Sequence, residues 1–376
     1  MAIKVLQLEN TKMKESAIYL SGLNGLRAIA ALAVVFAHVS QKGIADFGLP
    51  FLFDLPMAGF GVTLFFVISG FLITYLLLKE YVKTNTIEIK KFYARRVLRI
   101  WPIYYLFILI CLLILFFLHK KDEILVSSLW YYIFFAANIP FIFQSGILIL
   151  VHYWSIGVEE QFYLLWPWIV RFSKNKLLKI TIVIFLILFI TKLLLWFYLG
   201  PDSYPYRFIM VTRFHCMMIG AIGATLFFYQ RSRIIHFFSA KYVQLFSWVL
   251  FFLMGLGIIH FPAVLGQEII AFASLSMIMG QVTVKNRLFN LENKLFDFIG
   301  KISYGIYVIH PIIVLVLSEL FRNVNVLIEI KYIIVYFSVI GFTLFFAWLS
   351  YTYFEMPFLK LKRKFAVIQS SNTMLS

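Results

Sequence analysis

The chain is a succession of long apolar runs divided by short, polar and mostly basic segments. Runs of about 20 residues, the length a helix needs to cross the hydrocarbon core, lie near 23–41, 58–78, 100–118, 153–172, 177–198, 206–229, 242–260, 263–283, 299–320 and 331–354. Each predicts a helix, because in lipid a helix satisfies every backbone N–H and C=O within its own segment. A further apolar stretch, Leu129 to Val151, is interrupted by Asn138, Pro140, Gln144 and Gly146 and predicts a broken one. The expected fold class is therefore all-α: a polytopic integral membrane protein of about ten transmembrane helices plus one re-entrant or outer-face segment.

The basic residues set the orientation. Segments 1–27, 79–99, 171–179, 230–241, 284–301 and 359–364 hold 4, 7, 4, 3, 4 and 4 of them, 26 of the 34 Lys and Arg. They fall on one side, by the positive-inside bias, only if Leu129 to Val151 enters and leaves on the outer face. Both termini are then cytoplasmic. Residues 1–20 read as a polar lead, 21–357 as the membrane domain, and 358–376 as a basic, disordered cytoplasmic tail whose KLKRK run can also touch anionic lipid. A cleaved signal peptide is disfavoured, since the first apolar run contains Arg27 and His38 and no small-x-small cleavage site. No repeat of 20 to 50 residues is visible, which weighs against an inverted-repeat transporter.

Composition agrees with this class: 62% of the 376 residues are hydrophobic, 14% are charged, and mean hydropathy is +0.91. A net charge of +17 would suit nucleic acid, but the cations sit between apolar runs and act as topology signals, so no nucleic-acid partner is implied. Cys111 and Cys216 both lie in apolar runs, which argues against a disulfide framework. The seven histidines show no metal-ligand spacing, and no Gly-rich phosphate loop is present, so neither a metal site nor a nucleotide-hydrolysing pump is implied.

Within the first run, Arg27 and His38 are eleven residues apart. At 100° per residue they return to within roughly 20° of one direction, about 16 Å apart along the axis. An Arg and a His in a spanning helix face a protein interior or a water-filled cavity by default; the plainer alternative is a snorkelling Arg and a hydrogen-bonded core His. Lys90, Lys91, Arg95, Arg96 and Arg99 crowd the start of the third run. That is more than orientation needs, and guanidinium forks suit phosphate. Glu159 and Glu160 begin an otherwise apolar helix, where a carboxylate must pair, protonate or face a cavity unless it simply sits near headgroups at a helix N-terminus. Arg213 and His215 lie inside a later run, and Ser303, Tyr307 and His310 share one helix face, a pattern that also suits a packed interior.

Arg27 with ten residues before His38, GVTLFFVISGFLIT (61–74), RRVLRIWP (95–102), WSIGVEEQFYLLWP (154–167), TRFHCMMIGAIGA (212–224) and SYGIYVIHP (303–311) together resemble the acyltransferase family 3 membrane proteins, the O-acyltransferases of O-antigen, exopolysaccharide and Nod factor. The likeness covers roughly residues 21–357, with Asn24 where an Asp is usual and Ala28 where a Gly is usual. Some members carry a further periplasmic hydrolase-like domain, which a chain of this length is expected to lack.

The resemblance implies transfer of an acyl group, usually acetyl, from acetyl-CoA to a hydroxyl of a cell-surface glycan or glycolipid, in a bacterial inner membrane. Acetyl-CoA enters as co-substrate, and no permanently bound cofactor is expected. A thioester is already activated, so the protein must hold a polyphosphate donor, orient an alcohol, remove its proton and stabilise an oxyanion. On that basis His38 is expected as base or transient acyl carrier with Glu159 as its catalytic partner, Arg27, Arg95, Arg96 and Arg99 as donor ligands, and Arg213, Ser303, Tyr307 and His310 as cavity walls. The competing readings are a proton-coupled transporter or flippase with Arg27, His38, Arg213 and Glu159 along its path, and a non-catalytic lipid or glycan receptor.

Overall fold

A computed structural model describes residues 19–40, 44–50, 55–117 and 126–368. Residues 1–18 of the expected lead and 369–376 of the expected tail lie outside these. Every regular element among the described residues is helical, as the apolar runs require.

We number the helices α1 Leu23–His38, α2 Met57–Thr84, α3 Ile89–Phe117, α4 Val126–Ile133, α5 Asn138–Ile142, α6 Tyr153–Ser173, α7 Leu177–Leu199, α8 Tyr204–Thr212, α9 Phe214–Phe228, α10 Ser232–Ser239, α11 Lys241–Gly255, α12 Ala263–Val282, α13 Lys294–Lys301, α14 Ser303–Phe321, α15 Ile328–Leu349 and α16 Met356–Lys362. Seven spans among the described residues are long and apolar enough to cross a membrane: α2, α3, α7, α8 with α9, α12, α14, and α15 with its continuation to Phe365. An eighth is added if α10 and α11, bent by 51°, form one span. The other two expected spans fall short for different reasons. The helix in 23–41 has only 16 residues; α6 has 21, but Glu159, Glu160 and Gln161 dilute its apolar character.

The centre of the molecule is α2, which packs against α1, α6, α9, α11 and α12. Small residues let backbones approach closely where lipid supplies no hydrophobic drive between helices. A Cβ on Gly70 would lie 2.0 Å from the Met217 carbonyl oxygen, and one on Gly220 2.1 Å from that of Val67, so the α2–α9 contact depends on both glycines. By contrast α7 is peripheral, with only Leu177, Thr181 and Lys192 buried.

The stretch 129–151 is broken as expected, into α4, α5 and a single 3-10 turn at Leu148–Leu150. Its irregular backbone is satisfied by protein partners. Tyr104 donates to the Tyr132 carbonyl at 2.7 Å, Tyr105 to Ile133 at 2.8 Å and Gln161 to Phe135 at 3.0 Å, while Tyr132 accepts from the Ile147 N–H at 3.0 Å. At the other end, α15 runs through a wide π-type turn, Ser350–Glu355, into α16 and a 3-10 turn Arg363–Phe365. The KLKRK run, expected within a disordered tail, is thus helical as far as Phe365.

Candidate active site

The face shared by Arg27 and His38 on α1 turns inward toward α2, α13 and α14. At its far end His38 meets a residue 272 positions away: its Nδ1 lies 2.7 Å from Nε2 of His310, with the two rings stacked 5.0 Å apart. The Nδ1 of His310 lies 3.2 Å from the Ile306 carbonyl oxygen, which can only accept. His310 therefore carries its proton on Nδ1 and accepts on Nε2, so His38 must donate from Nδ1 and keep the lone pair on its own Nε2. Two main-chain and side-chain contacts thus fix the tautomer a base needs. A third imidazole, His152, lies 5.4 Å from the His310 ring, and its buried Nε2 has no partner among the described residues.

A cavity of about 90 Å³ leads toward this cluster. It ends at Ser155 and Tyr307, whose hydroxyls are 2.6 Å apart; Tyr307 also donates to the His152 carbonyl at 3.0 Å, and its ring is 5.9 Å from His310. Val62, Phe65, Phe66 and Ile156 make the walls apolar, and Arg27, Arg96 and Arg99 stand at the opposite end. These same three arginines line an adjoining chamber of about 100 Å³, which lacks Ser155 and Tyr307 but adds Asn24 and Lys362. The cations therefore occupy the junction of the two spaces.

No carboxylate among the described residues lies within ion-pair distance of Arg27, Arg96 or Arg99. Arg96 lies 5.7 Å from the centres of the Phe92 and Tyr163 rings, and its buried Nε has no hydrogen-bond partner among the described residues. Buried donors without acceptors cost free energy, so this arrangement suits an anionic ligand arriving from outside the chain. Among the described residues no group of three or more His, Cys, Asp or Glu is arranged to hold a metal ion.

The expected site residues divide. Arg27, Arg96, Arg99, Glu159, Ser303 and Tyr307 line one cavity, and His38 and His310 touch just beyond its end. Glu159 accepts from Ser69 at 2.6 Å on the wall it shares with Arg27 and Arg96, and no hydrogen bond or ion pair joins it to His38 among the described residues; its expected pairing with the histidine is replaced by His310. Arg95 leaves the group altogether, holding Glu80 at 3.0 Å and the Phe365 carbonyl at 2.8 Å. Arg213, in the left-handed region with φ 46°, is turned to the Gly59 carbonyl at 2.7 Å and Thr63 at 3.0 Å beside the Trp154 ring, and does not line the cavity.

A family model described as an acyltransferase domain matches residues 20–352. The chain belongs to this acyltransferase family. It is 31% identical over 372 residues to O-acetyltransferase OatA of Staphylococcus aureus strain NCTC 8325 / PS 47, and equally to that of strain COL, with 91% of this chain aligned. The alignment spans 57% of the length of those relatives. No solved structure matches the chain. As a member of this family with at least seven apolar spans, the protein is a multi-pass membrane protein.

Sequence reasoning passed over His152, Ser69, Ser155 and Lys362 as site residues. The block HYWS, which starts α6 directly after a broken segment, carried the signal for His152 and Ser155. Lys362 was hidden in a run of cations that topology alone explains.

Proposed function

We propose that the chain is a membrane O-acyltransferase that moves an acyl group, in the simplest case acetyl, from acyl-CoA to a hydroxyl of a cell-surface glycan or glycolipid. The observation that carries this reading is the apolar cavity joining three guanidinia, which have no carboxylate at ion-pair distance among the described residues, to the His38–His310 pair. A donor with an anionic head and a long thin arm fits that shape: the head at the arginines, the thioester near Ser155 and Tyr307. The separation of about 16 Å along α1 calls for such an arm.

In the reaction, His38 Nε2 takes the proton of the acceptor hydroxyl as its oxygen attacks the thioester carbonyl. His310 holds the ring through the 2.7 Å contact while His38 is doubly protonated. The Ser155 hydroxyl turns its proton from Tyr307 to the oxyanion, while Tyr307 keeps its own on the His152 carbonyl. When the tetrahedral intermediate collapses, the C–S bond breaks, the acyl ester remains on the acceptor, and the proton on His38 passes to the departing thiolate. Glu159, fixed by Ser69, offsets part of the positive charge of Arg27 and Arg96. The positive-inside bias sets the arginine end toward the cytoplasm of a bacterial plasma membrane, with both termini inside, so donor and acceptor approach from opposite sides.

The test uses the purified full chain in lipid nanodiscs with acetyl-CoA labelled in the acetyl group and membrane glycan as acceptor. Label should move into a base-labile ester with release of CoA, and His38→Gln should abolish the transfer while still binding acetyl-CoA. Failure of wild-type protein to bind acetyl-CoA, or binding without any ester formed on glycan, would refute the reading.

A further inference from the structure

Three imidazoles gather beyond the end of the donor cavity, and the scheme above uses the rings of only two. They arrive on separate elements: His38 on α1, His310 on α14, and His152 on the turn that joins the broken stretch 129–151 to α6. The rings of His38 and His152 flank that of His310 at 5.0 and 5.4 Å. Their hydrogen-bonding capacity is unequally spent. His310 is engaged at both nitrogens, by the Ile306 carbonyl and by His38. His38 gives Nδ1 to His310 and keeps the lone pair of Nε2. His152 is buried, 4% exposed, and its Nε2 has no hydrogen-bond partner among the described residues. The ring is held in place without that atom. Its own carbonyl accepts from Tyr307 at 3.0 Å, and the ring packs edge-on against Tyr153 at 4.8 Å and tilted against Tyr307 at 5.6 Å.

A buried polar atom left without a partner costs free energy, and a group that arrives with the substrate can remove that cost. An attacking hydroxyl brings one proton to give and an oxygen that accepts. The lone pair on His38 Nε2 can take the proton but can do nothing for the oxygen. Resting on the acyl-transfer reading, we propose that His152 is a further catalytic residue, whose Nε2–H donates to the acceptor oxygen and holds the hydroxyl with its proton turned to His38. The proton is assigned to Nε2 of His152 because His38 already supplies the lone pair. With one lone pair occupied by His152 and the proton on His38, the oxygen has a single lone pair left to aim at the thioester carbonyl. His152 gains and loses no proton in the step: the hydroxyl proton goes to His38 and then to the departing thiolate. Its place in the fold agrees, since the arginines hold the donor at one end of the cavity and His152 stands beyond the other.

The test separates the two ring nitrogens. A Gln amide reaches the position of Nε2, whereas an Asn amide reaches only that of Nδ1. Transfer from acetyl-CoA to membrane glycan is measured with the purified full chain in lipid nanodiscs, and acetyl-CoA affinity is measured separately. His152→Asn should lower kcat/KM for the glycan by about 10- to 100-fold, the scale of one hydrogen bond in a buried site, and leave acetyl-CoA affinity at the wild-type value. His152→Gln should recover most of that loss. Equal losses in the two variants, no loss in either, or a greater loss with Gln would overturn the assignment, and so would a fall in acetyl-CoA affinity, which would place His152 with the donor or the fold. If wild type itself forms no ester on glycan, the acyl-transfer reading fails first and this one with it.

Discussion

Two buried groups of cations in this molecule are built in opposite ways. Lys192 on α7 is fully buried, and its Nζ reaches both oxygens of Glu268 on α12 at 2.8 and 2.9 Å, with His215 Nε2 3.2 Å from the same carboxylate. Arg27, Arg96 and Arg99 have cavities on both sides and no carboxylate within ion-pair distance among the described residues. In the first group the Lys192 and Glu268 charges neutralise each other, so the pair holds α7, which is otherwise almost wholly turned to lipid, against the bundle. The second is incomplete, and the incompleteness is what points to a ligand. Charge in a membrane domain is therefore weak evidence of a site until its partners are counted.

The comparison breaks most visibly at Glu268. Removing one member of a buried pair leaves the other charge uncompensated, at a cost of about 3–5 kcal/mol. Glu268→Ala should lower thermal stability in detergent by that order, and Lys192→Met with Glu268→Leu should recover much of it, since an apolar pair is tolerated there. The surviving folded fraction should bind acetyl-CoA normally. Loss of donor affinity in the doubly substituted protein would show that the pair belongs to the site after all.

His38→Gln tests the other group at its chemical end. The amide can still donate to His310, so unfolding temperature should hold, while transfer falls by on the order of 10²-fold or more, as for other removed acid–base groups. Transfer within a few-fold of wild type would exclude the base role. Accumulation of acetylated His38 in wild type without acceptor would instead favour a two-step route.

What was legible in the sequence follows from the range of each interaction. The all-helical spans and the Arg27–His38 stripe depend on periodicity within one segment, so they could be read directly. The His38–His310 contact joins residues 272 positions apart, and nothing in either segment names its partner. The pairing of Glu159 with His38 comes from the family resemblance, whereas α6 presents Glu159 one turn beyond Ser155, on the arginine side. Lys192 and Glu268 sat alone in separate runs, and only packing shows that they neutralise each other. Apolar length predicts about ten spans, and seven or eight among the described residues are long and apolar enough to cross a membrane; α1, with 16 helical residues, and α6, diluted by polar residues, are the two that apolar length alone counts in addition.

Arg96→Ala should give a smaller effect than His38→Gln, and in binding rather than in chemistry. Its Nε has no hydrogen-bond partner to lose among the described residues, so stability should change little. Donor affinity should drop by about 10- to 100-fold, the worth of charge-assisted hydrogen bonds to phosphate. An unchanged affinity for acetyl-CoA would leave Arg96 as a topology signal.

Arg95 sharpens the contrast to neighbouring residues on one helix. Residues i and i+1 point 100° apart and do not share a face, and here the difference separates two roles. Arg96 faces the cavity, whereas Arg95 closes a local network with Glu80 and the Phe365 carbonyl; Glu80 in turn accepts from the Glu88 N–H at 2.8 Å. Arg95→Ala should therefore leave acetyl-CoA affinity at the wild-type value and lower thermal stability modestly, by about 1–3 kcal/mol, because a buried carboxylate loses one of its partners. Glu80→Gln should produce a similar shift in unfolding temperature, and the double substitution should cost less than the sum of the two, as expected for residues in one network. A fall in donor affinity with Arg95→Ala comparable to that of Arg96→Ala would mean that the ion pair opens when the donor arrives, and the division between neighbours would not hold.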